Sequence, residues 1–113
     1  MADEMFALLG WAWDIDTATR FAKAYPVRTA EVRPLAGLLS LIRIDPEHAA
    51  TVDLTRPLLV VPLPNVPAPG NRLVIDGWHR IHRAVSEGVD RLPAVLLDAS
   101  DERACRLRGG DIY

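Results

Sequence analysis

Leu73-Val74-Ile75-Asp76-Gly77-Trp78-His79-Arg80-Ile81-His82-Arg83-Ala84 is the stretch that decides the fold. The β-branched apolar run predicts a strand and Asp76-Gly77 a turn. The apolar spacing from Trp78 onward predicts a helix starting within two residues of Gly77. Such a junction gathers free backbone N–H groups at a helix N-terminus beside a His and an Arg, which favours an anion there. A nucleotide phosphate is the expected anion.

Upstream, Leu58 to Leu63, led in by Pro57, reads as a strand that pairs antiparallel with Leu73–Ile75. The proline-rich stretch 62–71 then reads as a stiff hairpin loop rather than a linker. Downstream, Trp78, Ile81, Val85 and Gly88-Val89 are expected to face inward, with His79, Arg80, Arg83 and Glu87 pointing elsewhere. Pro93 to Leu97 predicts a buried strand. Asp98 to Leu107 predicts a short helix with a charged face of Asp101, Glu102, Arg103, Arg106 and Arg108. Toward the N-terminus, Met5 to Trp13 reads as one buried strand or docked apolar segment. Asp14 or Asp16 caps a helix that Pro26 stops, and Val27 to Val32 is short and alternating enough for a strand. Pro34 suits a first helical position, with Leu35, Leu38, Leu39 and Ile42 on one face. Asp45-Pro46 ends that helix and begins a short turn through Glu47, His48, Ala49 and Ala50. The expectation is one compact α+β domain over residues 1–113, a small mixed sheet flanked by helices.

The bulk properties agree with that reading and narrow the partners. At 113 residues, half apolar and a quarter charged, the chain suits a single soluble domain. A net charge of −2 provides no global basic field for nucleic acid. Lys23 is the only lysine; an Arg bias with abundant Ala, Leu, Val and Pro fits a GC-rich genome, and Arg also suits bidentate phosphate contacts. The single cysteine, Cys105, excludes an intrachain disulfide. An acidic start (Asp3, Glu4) and the lack of a membrane-length apolar run make a cytoplasmic location the expectation, with no membrane partner.

A strand, then Ile75-Asp76-Gly77-Trp78-His79-Arg80, a helix of about ten residues and a strand opening Leu92-Pro93-Ala94-Val95 resembles the ParB/sulfiredoxin superfamily. The motif is similar to the D-G-Q-H-R element of DndB-like proteins; sulfiredoxins carry G-C-H-R there and ParB proteins G-E-R-R. The resemblance is strongest over Leu58–Asp98, weaker over Pro34–Ile42, and leaves residues 1–26 as an N-terminal extension. It implies a nucleotide site for ATP, ADP, CTP or another nucleotide, with or without Mg²⁺. Gly77 would admit close backbone approach, His79 and Arg80 would hold phosphate oxygens, and Trp78 and Arg83 would complete the binding set. Trp78 stands where sulfiredoxins have their nucleophilic cysteine, so sulfinic-acid reduction is not expected. No helix-turn-helix pattern follows, so partitioning is not expected either.

Several roles stay open at the level of sequence. Trp78 is either a core anchor or a stacking platform. Asp76 is either the helix cap or a catalytic acid able to hold Mg²⁺ through water. Glu47 or Asp53, with His48 as an alternative, could act as base toward a small hydroxylated substrate, as in the free serine kinases of the superfamily, or form a solvated acidic turn. His79 and His82 have cationic neighbours and no third ligand at fitting spacing, so no metal site is expected. The function expected is nucleotide binding at Asp76–Arg80, as an NTP hydrolase, a small-molecule phosphotransferase or a non-catalytic nucleotide-gated module docking a protein partner through Phe6–Trp13. The reading from another class is a DNA-binding or nuclease module using Arg72, Arg80, Arg83 and Arg91, with no tight duplex binding expected at physiological salt.

Overall fold

A computed structural model describes residues 4–67 and 70–110. Its centre is the apolar run Leu58–Pro62 (β4), buried along nearly its whole length because it has a strand on each side. On one side Arg72–Asp76 (β5) pairs antiparallel, with Val60 opposite Val74 and Leu59 opposite Asp76, as the hairpin reading expects. On the other side Arg91–Leu96 (β6) runs parallel to β4, and Arg28–Glu31 (β3) closes that edge antiparallel to β6. The parallel pair needs a crossover, which Trp78–Glu87 (α4) supplies between β5 and β6. The fold is α+β, and this is the expected mixed sheet.

A second sheet was not foreseen. Met5 to Trp13 is a hairpin, not one strand: Met5–Leu8 (β1) turns through Leu9 and Gly10 into Trp11–Asp14 (β2). Both turn residues have positive φ, 52° and 86°, as a two-residue hairpin loop with right-handed strand twist requires. Gly10 signals such a turn and leucine does not, so Leu9 concealed it. Asp14 then caps Ile15–Ala22 (α1) by accepting from the Thr17 N–H.

The expected Pro34–Ile42 helix is also different. Val32–Leu35 (α2) is a single turn, and Ala36–Leu41 continues as a 3₁₀ run in which no residue is fully buried. Gly37 weakens an α-helix there, and the tighter 3₁₀ winding divides the leucines between core and solvent. Pro46–Ala49 (α3) follows, capped by Asp45 and packed on α4. On α4 itself Ala84 is buried and Val85 is 52% exposed, the reverse of the periodic reading, and Arg80 is buried as well.

Ala99–Cys105 (α5) stops short of Leu107, because Arg106–Arg108 (β7) joins β2 as a third strand. Its supposed charged face is partly core. Glu102 is 1% exposed, accepting from the Trp13 indole at 2.8 Å and from Arg106 Nε and Nη2, also at 2.8 Å. This network ties α5 to the N-terminal hairpin across 89 residues of sequence. Glu102→Gln keeps the shape but offers a donor where both carboxylate oxygens accept. The expected cost is about 1–3 kcal/mol of stability, read by urea denaturation. Stability equal to the parent would show the network to be dispensable.

Residues 5–22, which the family resemblance leaves as an extension, are packed into the domain, with Trp13, Ile15 and Ala18 in the core. This hairpin and α1 come to lie beside the β5–α4 junction.

Candidate functional site

The junction opens into a cleft of about 910 Å³, within the size range of small-molecule sites. One wall is Asp76 to Arg80. The second is His48 on α3 with Val52, Asp53 and Arg56 on the loop entering β4. The third, Glu4, Asp16, Thr19 and Arg20, comes from the N-terminal elements.

Gly77 is the N-cap of α4 and sits at φ +116°, outside the range L side chains readily adopt. A Cβ there would strike Leu58 and lie 3.2 Å from the Arg80 guanidinium. Glycine is needed here for the fold itself. A glycine cap contributes no side-chain acceptor, so α4 begins without a side-chain cap hydrogen bond. Asp76 does not cap it, contrary to one sequence reading. Its carboxylate faces the Arg80 Nη2 at 3.3 Å and lines the cleft. The first turn of α4, with the positive end of its dipole, therefore borders the cleft with no side-chain cap hydrogen bond.

Arg80 does not stand free as a phosphate ligand. It is 6% exposed, and its Nη1 donates to the carbonyls of Arg56 at 2.7 Å and Pro57 at 2.6 Å. Burial works against its charge and Asp76 supports it. Arg80 fastens the start of β4 to α4 and so holds Arg56 at the cleft, where the Arg56 side chain is exposed. Trp78 is the core anchor, 4% exposed, with its indole N–H donated to the Val74 carbonyl at 2.7 Å; it offers no stacking face. Arg83 lies outside the cleft lining, bonded to the Val52 carbonyl at 2.6 Å and to Glu87 at 2.9 Å. Glu47 is exposed and also outside the lining. With Arg80 buried, the basic edge proposed for DNA loses its central member.

His79 remains in the cleft, with a fixed tautomer. Its Nε2 accepts the Asp45 N–H at 3.2 Å, so the neutral ring carries its proton on Nδ1. The His48 ring meets it edge-on at 4.7 Å. Burial first, then His48, lowers the His79 pKa from its ordinary value, with Asp45 acting in the opposite sense. His82 faces the 3₁₀ run instead.

Sequence reasoning missed the third wall entirely, along with Arg20 and Arg56. Of the cleft acids, Asp53 in the second wall is held below its ordinary pKa by the Thr55 hydroxyl and N–H, which suits a standing anion and not a base. Glu4 is the opposite: burial, then Asp76 and Asp16, push its carboxyl up. Among the described residues no group of three or more His, Cys, Asp or Glu side chains is arranged to hold a metal ion, and no helix is long and apolar enough to cross a membrane. No protein-family model, curated protein or solved structure matches this chain.

Proposed function

We propose that the chain is a nucleotide-binding domain of the cytoplasm that holds di- or triphosphates in this cleft. The observation that carries the reading is the uncapped start of α4, opening into a cleft of about 910 Å³ that also presents Arg56 and Arg20. Backbone N–H groups, a helix dipole and exposed guanidinium forks together suit a multiply charged phosphate chain. The donors differ from those the motif suggests: Arg56 takes the place of Arg80, and His79 contributes Nδ1–H. The cleft carboxylates Glu4, Asp16, Asp53 and Asp76 would repel a bare triphosphate, so the nucleotide enters with Mg²⁺ neutralising its charge. The metal then supplies charge neutralisation and phosphate orientation. Glu47 is too remote to act as base, and Asp76 is already paired with Arg80.

Arg56→Ala should weaken MgADP binding by about 1.5–3 kcal/mol, the worth of charge-assisted hydrogen bonds, and leave folding intact because the side chain is exposed. Calorimetry on parent and variant measures it. Equal affinity in the two proteins, or no heat in either, would remove the proposal. Hydrolysis of MgATP, with Glu4 as base toward water, is favoured by the place of Glu4 in the cleft lining, where burial, Asp76 and Asp16 push its carboxyl up. Phosphate release from MgATP that disappears in Glu4→Gln would establish turnover.

A further inference from the structure

We propose that the contact between His79 and the Asp45 backbone N–H is a pH-operated latch that keeps α3 closed against the nucleotide cleft and releases it when His79 takes up a proton. The proposal rests on the nucleotide reading for its effect on affinity, although the latch itself does not need a ligand.

The latch follows from which atom does what. Asp45 is the N-cap of α3; its side chain accepts from the Glu47 N–H, while its own N–H is spent on His79 Nε2. That one bond joins the cap of α3 to the first turn of α4. A protonated imidazole has two N–H groups and no lone pair, so it cannot accept from Asp45. Protonation therefore breaks the bond and sets two N–H groups against each other. It also places a positive charge beside the His48 ring, whose centroid is 4.7 Å away. His48 and the adjoining loop form the second wall of the cleft, so release of α3 loosens that wall.

The groups around His79 divide as follows. His48 on α3 and His82 on α4 oppose its protonation, and the Asp45 carboxylate favours it. Across the cleft stand Asp53 and Arg56, with Asp76 and Arg80 at the head of α4. Burial is the largest influence and favours the neutral ring. A histidine whose pKa is lowered by folding costs nothing above its unfolded value near 6.5. Below that value the unfolded chain takes up the proton first, so stability is lost as pH falls.

The consequence for binding is contrary to simple charge attraction. An unlatched cationic histidine would bind phosphate better in acid. Here affinity should fall in acid, by about tenfold per pH unit below the folded pKa, because the protein that binds is the neutral, latched form.

The test is a pH series from 8 to 5 on the full chain, following the ¹H–¹⁵N signals of Asp45 and residues 47–50 without ligand and MgADP affinity in parallel. The expected result is an Asp45 amide that titrates with a midpoint below 6.5, loss of exchange protection across α3 below that midpoint, and MgADP affinity falling in step. In His79→Gln the amide oxygen still accepts but does not titrate, so the Asp45 titration should vanish and MgADP affinity should keep only the pH dependence of the nucleotide's own terminal phosphate, whose pKa is about 6. In His48→Gln the midpoint should move up. An Asp45 amide that does not titrate, or MgADP affinity that rises in acid, overturns the latch. If MgADP binds at no pH, the nucleotide reading fails by itself, and the α3 amides decide whether the latch operates.

Discussion

Arg80→Met is expected to cost about 3–5 kcal/mol of folding stability, the penalty for breaking one side of a buried charged network. The carbonyls of Arg56 and Pro57 lose donors at 2.7 and 2.6 Å, and Asp76 loses its ion-pair partner. Methionine fills much of the vacated volume, so the loss is polar and not a cavity effect. An arginine that merely reached a ligand would be nearly silent in the ligand-free protein. Urea denaturation distinguishes the two roles. A parent-like midpoint would mean that Arg80 is free for phosphate and that Arg56 is placed by something else.

Gly77→Ala should cost about 2–5 kcal/mol, from backbone strain at φ +116° and from overpacking against Leu58 and Arg80. The two contributions can be separated. Trimming Leu58 in the double variant Gly77→Ala/Leu58→Ala relieves the collision but not the strain, so the two substitutions should cost less together than their sum. Strict additivity would show that the Leu58 contact plays no part. The comparison also bears on function, because displacing Leu58 or Arg80 would turn the start of α4 away from the cleft.

Legibility from sequence followed the range of the interactions. The β5–α4 unit could be read because periodicity changes from two to 3.6 at Asp76-Gly77, within a few residues. The β4–β5 pairing was equally plain, since Leu58–Val61 and Leu73–Ile75 are both continuous apolar runs flanking a proline-rich loop. The N-terminal hairpin was hidden because Leu9 adopts a conformation its side chain disfavours. Arg80 was misplaced for a different reason. Its neighbours His79 and Arg83 mark a polar helix face, but the acceptors that bury it lie 23 and 24 residues away on the chain. Glu102 is the same case at longer range. Local pattern showed the polar character of these residues and gave no sign of their partners.

The candidate site divides along the same line. Asp76, Gly77 and His79 were legible, and the structure brings all three to the cleft. Trp78 and Arg83 have the right spacing but are used in packing and in a contact with the Val52 carbonyl. Glu4, Asp16 and Arg20 reach it because β2 pairs with β7 and α1 packs against α5 and β4, and Arg56 because Arg80 binds the carbonyls at the start of β4, contacts that no local motif encodes.

Phosphate bound at the start of α4 would be visible in a ¹H–¹⁵N titration of the parent protein with MgADP. The largest shifts are expected at the amides of Trp78, His79 and Arg80, with the Arg56 side-chain signal moving at the same ligand concentration. Saturating MgADP that leaves those amides in place, or that shifts only residues remote from the cleft, would contradict it.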